Sequence, residues 1–248
     1  MRLRGADAGA HLAPPGAGAF RQFQVLREAL VVAVAALTYF AVRNLTVGAW
    51  SEAFANARRI ERLERWLHVD WERGLQETLL RDDVLVTAAN WTYIWGHWPV
   101  ILACGVLLYR RAPERYLLLR NAMFVSGAIG FLFFALVPVA PPRLVDPALL
   151  DTVSLHSDSY RALQPPGLTN QYAAFPSLHF GWNLLLGLVV WGATTNRALR
   201  AFAVLGPAAM ATAVVVTANH FVLDVVGGLL VVLLGYVIAR RLVPHPLR

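Results

Sequence analysis

Two histidines, each placed where a long apolar run begins, are the residues of this sequence best suited to chemistry. His179 lies in the block AAFPSLHFGW and His220 in the block ANHFVLDVVGG. About 40 residues separate them, which is enough for two membrane crossings of ~20 residues each. Because a chain that crosses and returns ends at the face it left, we expect both histidines at one membrane face, each near the N-terminal end of a helix.

The residues around the first histidine favour a phosphate ligand. Pro176 fits the first turn of a helix, where a missing N–H does no harm. The N–H groups of Ser177, Leu178 and His179 would then point out of the helix end, where the positive end of the helix dipole attracts anions. We therefore expect Ser177 to take part in substrate binding.

The second block pairs its histidine with a carboxylate. Asp224 follows His220 by four residues, so the two share one face of a helix. The carboxylate can accept the Nδ1 proton and leave Nε2 free as a nucleophile. Asn219 can cap this helix. Two alternatives stay open: two histidines with a carboxylate could bind a metal, and each histidine could have a structural role alone.

Composition indicates an integral membrane protein. Of the 248 residues, 57% are apolar, and several runs approach or exceed the ~18 residues typical of a membrane span. All 22 basic residues are arginine, and the net charge of +7 would suit a nucleic-acid ligand. The arginines lie mostly in short loops between apolar runs, however, as orientation signals do. We therefore expect no nucleic-acid partner; the single cysteine, Cys104, excludes an internal disulfide.

The apolar runs predict an all-α protein with six transmembrane helices. Residues 1–22 form a predicted disordered cytoplasmic tail, residues 23–242 one six-span catalytic membrane domain, and residues 243–248 a second cytoplasmic tail. The predicted spans are roughly 26–47, 84–109, 116–139, 176–194, 201–218 and 221–238.

A charged but periodic segment, residues 51–83, separates the first two predicted spans. Its apolar residues recur at helical spacing, with Glu64, Glu72 and other charged residues between them. This pattern predicts one or two amphipathic helices on the membrane surface; a solvated connector is the alternative.

The arginine-rich turns give an orientation that does not depend on the histidines. The turns RRAPER and TTNRALR and both tails fall on one side of the six-span layout, and His179 and His220 fall on the other. Short basic loops stay in the cytoplasm. We therefore expect a multi-pass protein of the cell membrane whose active site faces the extracytoplasmic side.

Two further features sit close to predicted spans. Residues 140–174 form a long proline-containing loop, and long ordered loops are usually functional. The second span contains NWTYIWGHWP, whose aromatic residues could form an interfacial belt or line a lipid-binding groove. His97 lies deeper than a belt residue would, so it has either a functional role or a packing role.

These blocks resemble the type 2 phosphatidic acid phosphatase superfamily of membrane enzymes. PSLH, residues 176–179, looks like the superfamily's PSxH block, and His220 with Asp224 looks like its final HxxxD block. Within the superfamily, the closer likeness is to the branch that includes the fungal inositol phosphorylceramide synthases. It is carried by APPRLVD, QYAAFPSLHFGW, NHFVLDVVGG, RIERLERWLHVDWERGLQ and HWP.

The chain departs from the superfamily in its basic residues. It has no lysine for the first block, Ala213 and Val214 stand where a Ser-Arg pair would be, and Leu178 replaces the usual glycine. Arg143 remains as the obvious phosphate clamp. Since a dianionic phosphomonoester needs more positive charge, this departure favours a phosphodiester substrate or a transfer reaction.

The resemblance implies a metal-independent reaction without a cofactor. His220 would form a phosphohistidine, Asp224 would fix its tautomer, and His179 would protonate the leaving oxygen and then activate the acceptor. The implied substrate-binding residues are Arg143, Ser177, Asn219, His97 and Tyr172. The favoured activity is that of an inositolphosphotransferase-like lipid enzyme; a lipid or polyprenyl phosphate phosphatase is the alternative, and a non-enzymatic transporter or scaffold on the same fold is the second.

Overall fold

In the computed structural model of the protein, the described residues are 26–28, 30, 31, 33–35, 37, 38, 41, 49–156 and 170–242. The chain divides into two units, Met1–Tyr39 and Phe40–Arg248. The described residues of the first unit are helical, and they cover part of the first predicted span. Both predicted tails, residues 1–22 and 243–248, lie outside the described residues.

The described part of the second unit is all-helical. Ranges 49–156 and 170–242 contain no strand, only an isolated bridge between Val139 and Ala173. The helices are α1 (Trp50–Leu67), α2 (Glu72–Leu79), α3 (Asp83–Trp95), α4 (Trp98–Arg111), α5 (Pro113–Leu136), α6 (Pro142–Val145), α7 (Thr152–His156), α8 (Leu178–Ala193), α9 (Arg197–Val216) and α10 (Val222–Leu242).

Three of these helices, α5, α9 and α10, are long and apolar enough to cross a membrane. The pair α3 and α4 is a fourth candidate if it counts as one span, and α8 is apolar but has only 16 residues. The described residues thus show three clear spans, or up to four, where the sequence predicted six for the whole chain.

The second predicted span is broken, which the sequence analysis did not anticipate. A bend of 48° separates α3 from α4 at Gly96 and His97. Pro99 lies in the first turn of α4, where it cannot donate to the preceding turn. The bend therefore places His97 at a helix junction inside the protein rather than along a straight span.

Helix α8 lies at the centre of the packing, against α5, α9 and α10. Glycines let α10 approach it closely: a Cβ at Gly228 would overlap the carbonyl oxygen of Ser177, and one at Gly227 would lie 2.6 Å from the Phe175 ring. Small residues permit such close contact between helices. Gly227 and Gly228 are therefore packing residues of α10.

The segment between the first two predicted spans forms two helices, α1 and α2, as predicted. Its exposed residues include large apolar side chains beside several arginines, with Leu63 46%, Trp66 74% and Trp71 55% exposed. Its buried residues include the polar side chains of Asn56, Glu64, Glu72 and Gln76 beside small or apolar ones. The helices thus expose part of their apolar surface and bury carboxylates and amides against the rest of the protein.

Those buried polar groups hold the loop after α5. Gln76 donates to the carbonyl of Leu150 at 3.0 Å and accepts from the Leu150 N–H at 2.8 Å. On α3, Asn90 exchanges two hydrogen bonds of 2.9 Å with Thr152. The predicted loop is therefore fixed at Leu150 by α2 and at Thr152 by α3.

Candidate active site

His220 is held at the start of α10 by two acceptors on one ring nitrogen. Its Nδ1 lies 2.7 Å from the carbonyl oxygen of Ala174 and 3.4 Å from Oδ2 of Asp224. Both are acceptors, so the proton resides on Nδ1 and Nε2 keeps its lone pair. The side chain is buried. The arrangement fixes the orientation of the ring and leaves the Nε2 lone pair free.

Asp224 lies near His220 as predicted, but it is not the nearer acceptor. Its Oδ2 also accepts the N–H of Phe221 at 2.8 Å. The carbonyl of Ala174, in the chain just before α8, takes the shorter bond, at 2.7 Å against 3.4 Å. The carbonyl of Asp224 in turn accepts the N–H of Ser177 at 2.9 Å. The two histidine blocks are thus joined by backbone as well as by side chains.

His179, on the first turn of α8, completes a row of three histidines. Its ring stacks on Tyr93 with centroids 4.7 Å apart and lies 4.3 Å from His97. On the other side, its centroid is 6.0 Å from that of His220. The structure therefore brings the two predicted catalytic histidines together, and it adds Tyr93, which sequence reasoning had placed in a belt or groove.

Ser177 occupies a different place in the helix from the predicted one. It is the N-cap of α8, and its Oγ accepts from the N–H of Phe180 at 3.5 Å. Pro176 therefore precedes the helix rather than opening its first turn, and the N–H of Ser177 is used by Asp224. The first-turn N–H groups of Leu178 and His179 remain donors without an intrahelical acceptor, by their position in the helix.

Asn219 does not cap α10, which corrects the prediction. Its amide donates instead to Oγ1 of Thr217 at 2.9 Å. The helix begins later, at Val222, so Asn219 is too far back to reach its first free N–H groups. Asn219 shapes the buried turn between α9 and α10.

Two glutamates from the surface helices provide the cap. Oε1 of Glu72 accepts the N–H of Val222 at 2.8 Å, and Oε1 of Glu64 accepts the N–H of Leu223 at 2.7 Å. Burial, together with the neighbouring Glu72 carboxyl, raises the pKa of Glu64 to about 9. Sequence reasoning missed both, because a glutamate on an amphipathic helix is normally solvated.

Arg143 is anchored beside the turn that carries His220. Its N–H donates to the carbonyl of Ala218 at 3.1 Å, and its Nε donates to Oδ2 of Asp151 at 3.1 Å. Since Asp151 takes only Nε, the two Nη groups keep the fork that matches phosphate oxygens. Asp146, in the same loop, accepts from Arg73 at 2.8 Å.

His97 and Tyr172 occupy different surroundings. His97 is buried, stacks on Trp182 and receives a hydrogen bond from Asn183 to Nδ1 at 3.2 Å. Asn183 also donates to the carbonyl of His179 at 2.9 Å, so it links the two histidines. Tyr172 is half-buried against the cluster around Phe221, and its carbonyl accepts from Val139 at 2.8 Å. His97 thus lies in the histidine row, whereas Tyr172 packs at its edge.

A polar pocket of about 450 Å³ opens between α1, α2 and the loop after α5. Its walls include Glu72, which belongs to the cap of α10. They also include Phe221, the neighbour of His220 in sequence, and Pro142, the neighbour of Arg143. In the part of the chain that the structure describes, no three His, Cys, Asp or Glu side chains lie close enough together to hold a metal ion.

A family model described as the PAP2 superfamily matches residues 58–238 of the chain. The match therefore covers α2 to α9 completely and most of α1 and α10. It supports the superfamily and gives no support for the inositol phosphorylceramide synthase branch. No curated protein and no solved structure matches the chain.

Proposed function

The chain belongs to the PAP2 superfamily, and from that premise we propose that it is a membrane-embedded lipid phosphotransferase or phosphatase that forms a phosphohistidine on His220. Superfamily membership indicates a phosphatase- or phosphotransferase-type function, and the apolar helices indicate a membrane protein. The nucleophile, the substrate and the acceptor belong to the proposal.

The observation that carries the proposal is the geometry at His220. Ala174 and Asp224 together hold the proton on Nδ1, so Nε2 is free to attack phosphorus. As the P–N bond forms, the ring gains positive charge, which the Asp224 carboxylate and the Ala174 carbonyl stabilise. The bond from phosphorus to the leaving oxygen breaks in the same step.

His179 is proposed as the acid and base. Its ring centroid lies 6.0 Å from that of His220, so the two rings can act on the same phosphoryl group. It would protonate the leaving oxygen and then remove the proton from the acceptor, a pair of steps typically contributing about 10²–10⁴-fold in rate. The stack on Tyr93 and the contact with His97 fix the plane of the ring.

The phosphoryl oxygens require donors, and two sources adjoin the histidines. Arg143 offers its Nη fork while Asp151 holds Nε. The first turn of α8 offers N–H groups at the positive end of the helix. Ser177 supports that turn as its N-cap. Asn219, His97 and Tyr172 shape the proposed substrate site.

Transfer is favoured over hydrolysis. Among the described residues, Arg143 is the one arginine placed at the site, and one arginine suits the single negative charge of a phosphodiester better than the double charge of a phosphomonoester. We therefore favour an inositolphosphotransferase-like reaction, in which a lipid or polyol hydroxyl accepts the group, over a lipid or polyprenyl phosphate phosphatase, in which water does. A non-enzymatic transporter or scaffold is the outcome if no substrate turns over.

The proposed topology keeps six spans, with α8 as a short one and the histidines at the extracytoplasmic side. It is tested by replacing Cys104 and placing single cysteines at Ser154 and Thr195. An impermeant thiol reagent applied to intact cells should label the first and not the second. The reverse pattern contradicts the orientation and the location of the site.

The function is tested with purified protein and a panel of phospholipids and polyprenyl phosphates, with and without inositol as acceptor. We expect turnover that survives EDTA, falls with vanadate and is absent in His220→Ala. Release of inorganic phosphate alone would favour the phosphatase, and a new phosphodiester product the transferase. Activity lost in EDTA and restored by zinc or magnesium would contradict the metal-independent reaction.

A further inference from the structure

The N-terminus of α10 is closed by carboxyl groups that come from a distant part of the chain. The N–H groups of Phe221, Val222 and Leu223 are the free donors of this helix start. Phe221 donates to Asp224 of the same helix, whereas the next two donate to Glu72 and Glu64 at 2.8 and 2.7 Å. These glutamates precede α10 in sequence by 150 residues or more.

Glu64 and Glu72 are close enough for each to shift the pKa of the other. Glu64 is fully buried, and its second oxygen, Oε2, receives no hydrogen bond from the described residues. Two ionised carboxylates cannot hydrogen-bond to each other, because both only accept. A proton on Oε2 of Glu64 would give it a donor for Glu72 while each Oε1 still accepts from α10.

Resting on the proposed function, we infer that Glu64 and Glu72 are positioning residues for His220: sharing one proton, they hold the first turn of α10 and thereby the orientation of the proposed nucleophile. His220 stands two residues before Val222, and Asp224 stands one residue after Leu223. Movement of this turn would therefore displace both His220 and the carboxylate that faces it.

The charges around the pair agree with a shared proton. A single negative charge at the N-terminus of a helix is stabilised by the helix dipole, whereas further buried charges there repel each other. Burial raises the pKa of both glutamates, and each also feels the charge of Asp224. The charged groups facing Glu72 across the pocket are Glu61, Arg65, Asp70, Arg73, Glu77 and Asp146.

The variants that test this differ in what they can donate. An amide in Glu64→Gln keeps an oxygen for Leu223 and an N–H for Glu72, as the protonated carboxyl does. Glu64→Ala removes both. In the double variant Glu64→Gln with Glu72→Gln, two amide donors face each other. Glu52→Ala, an exposed glutamate of the same helix, is the matched control.

Amide hydrogen exchange gives a readout that needs no activity. In Glu64→Ala, the peptide spanning residues 219–226 should exchange faster, and in Glu64→Gln and Glu52→Ala it should exchange as in the wild type. Unchanged exchange in Glu64→Ala overturns the inference. This outcome stands whether or not the protein turns over a lipid, so it is separate from failure of the proposed function.

Kinetics distinguish positioning from a merely structural role. With the best substrate of the panel, kcat of Glu64→Ala should fall about tenfold to hundredfold, the scale of a misplaced catalytic group, with KM nearly unchanged. Glu64→Gln should retain most of kcat, and the double Gln variant should lose far more than the two single variants combined. A fall in Glu64→Gln as large as in Glu64→Ala would contradict the shared proton. Wild-type protein that turns over nothing would overturn the proposed function and leave the exchange experiment to decide the cap.

Discussion

The two histidine blocks and the helices α1 and α2 meet at one site. The histidines can be recognised as candidate site residues from the sequence, whereas the glutamates of α1 and α2 cannot. His179 and His220 stand at the starts of apolar runs, where a polar residue is conspicuous. Glu64 and Glu72 lie among many other charges on helices that expose several apolar residues and bury several polar ones. A charged residue on an amphipathic helix is therefore expected to be solvated. Only the packing of that helix against α10 shows that Glu64 and Glu72 are buried.

In the proposed mechanism the histidine blocks carry out the reaction, and α1 and α2 hold the histidine blocks in place. Substitutions among the histidines should then remove steps of the reaction. Substitutions on α1 and α2 should move the same residues out of place without removing any of them.

His220→Ala should abolish turnover, because no other group in the account can attack phosphorus. His179→Ala should lower kcat by roughly 10²–10⁴-fold, the usual contribution of a general acid and base. A substrate with a good leaving group should restore much of the activity of His179→Ala and none of that of His220→Ala. The activity of both variants is measured as lipid turnover in detergent. Equal recovery in the two variants would contradict their separate roles.

Arg143→Lys should lower kcat/KM by about tenfold or more, because lysine offers a point charge and lacks the planar fork that matches phosphate. Asp151→Asn should have a smaller effect, since it loosens the guanidinium without removing it. The measurement is steady-state kinetics with one phosphodiester substrate. Arg143→Ala with unchanged kinetics would show that the phosphate is bound elsewhere.

His97→Phe should lower kcat only a few-fold. The phenyl ring keeps the stack on Trp182 and the contact with His179 but loses the acceptor for Asn183, a hydrogen bond worth about 1 kcal/mol. Asn183 keeps its bond to the carbonyl of His179. A complete loss of activity in a folded His97→Phe protein would instead give His97 a catalytic role.

The smallest effect concerns the pH dependence of stability. Burial raises the pKa of Glu64 from 4.5 to about 9, so the folded state holds a proton that the unfolded chain releases. This contribution is fully present below the unfolded pKa and is lost as pH rises towards about 9. The melting temperature should therefore fall across that range less steeply in Glu64→Gln than in the wild type. Parallel curves in thermal unfolding would show that Glu64 is ionised in the fold.

The sequence predicted those parts of the fold that follow from local pattern. Apolar runs located α5, α9 and α10, periodicity located α1 and α2, and the spacing of His220 and Asp224 placed them on one face. It could not predict the bend at His97, the Ala174 carbonyl on His220, or the cap of α10. Each of these depends on where a distant segment packs, and neither composition nor periodicity records that.

The most direct test of the central claim is mass spectrometry of His179→Ala after reaction with a substrate that has a good leaving group. Because His220 can still attack while release to an acceptor is slowed, the peptide containing His220 should carry a covalent adduct. A phosphoryl group that retains its alcohol would identify a phosphodiester donor and transfer, and a bare phosphoryl group a monoester. An adduct that persists when His220 is also replaced by alanine would contradict the account, because another residue would then be the nucleophile.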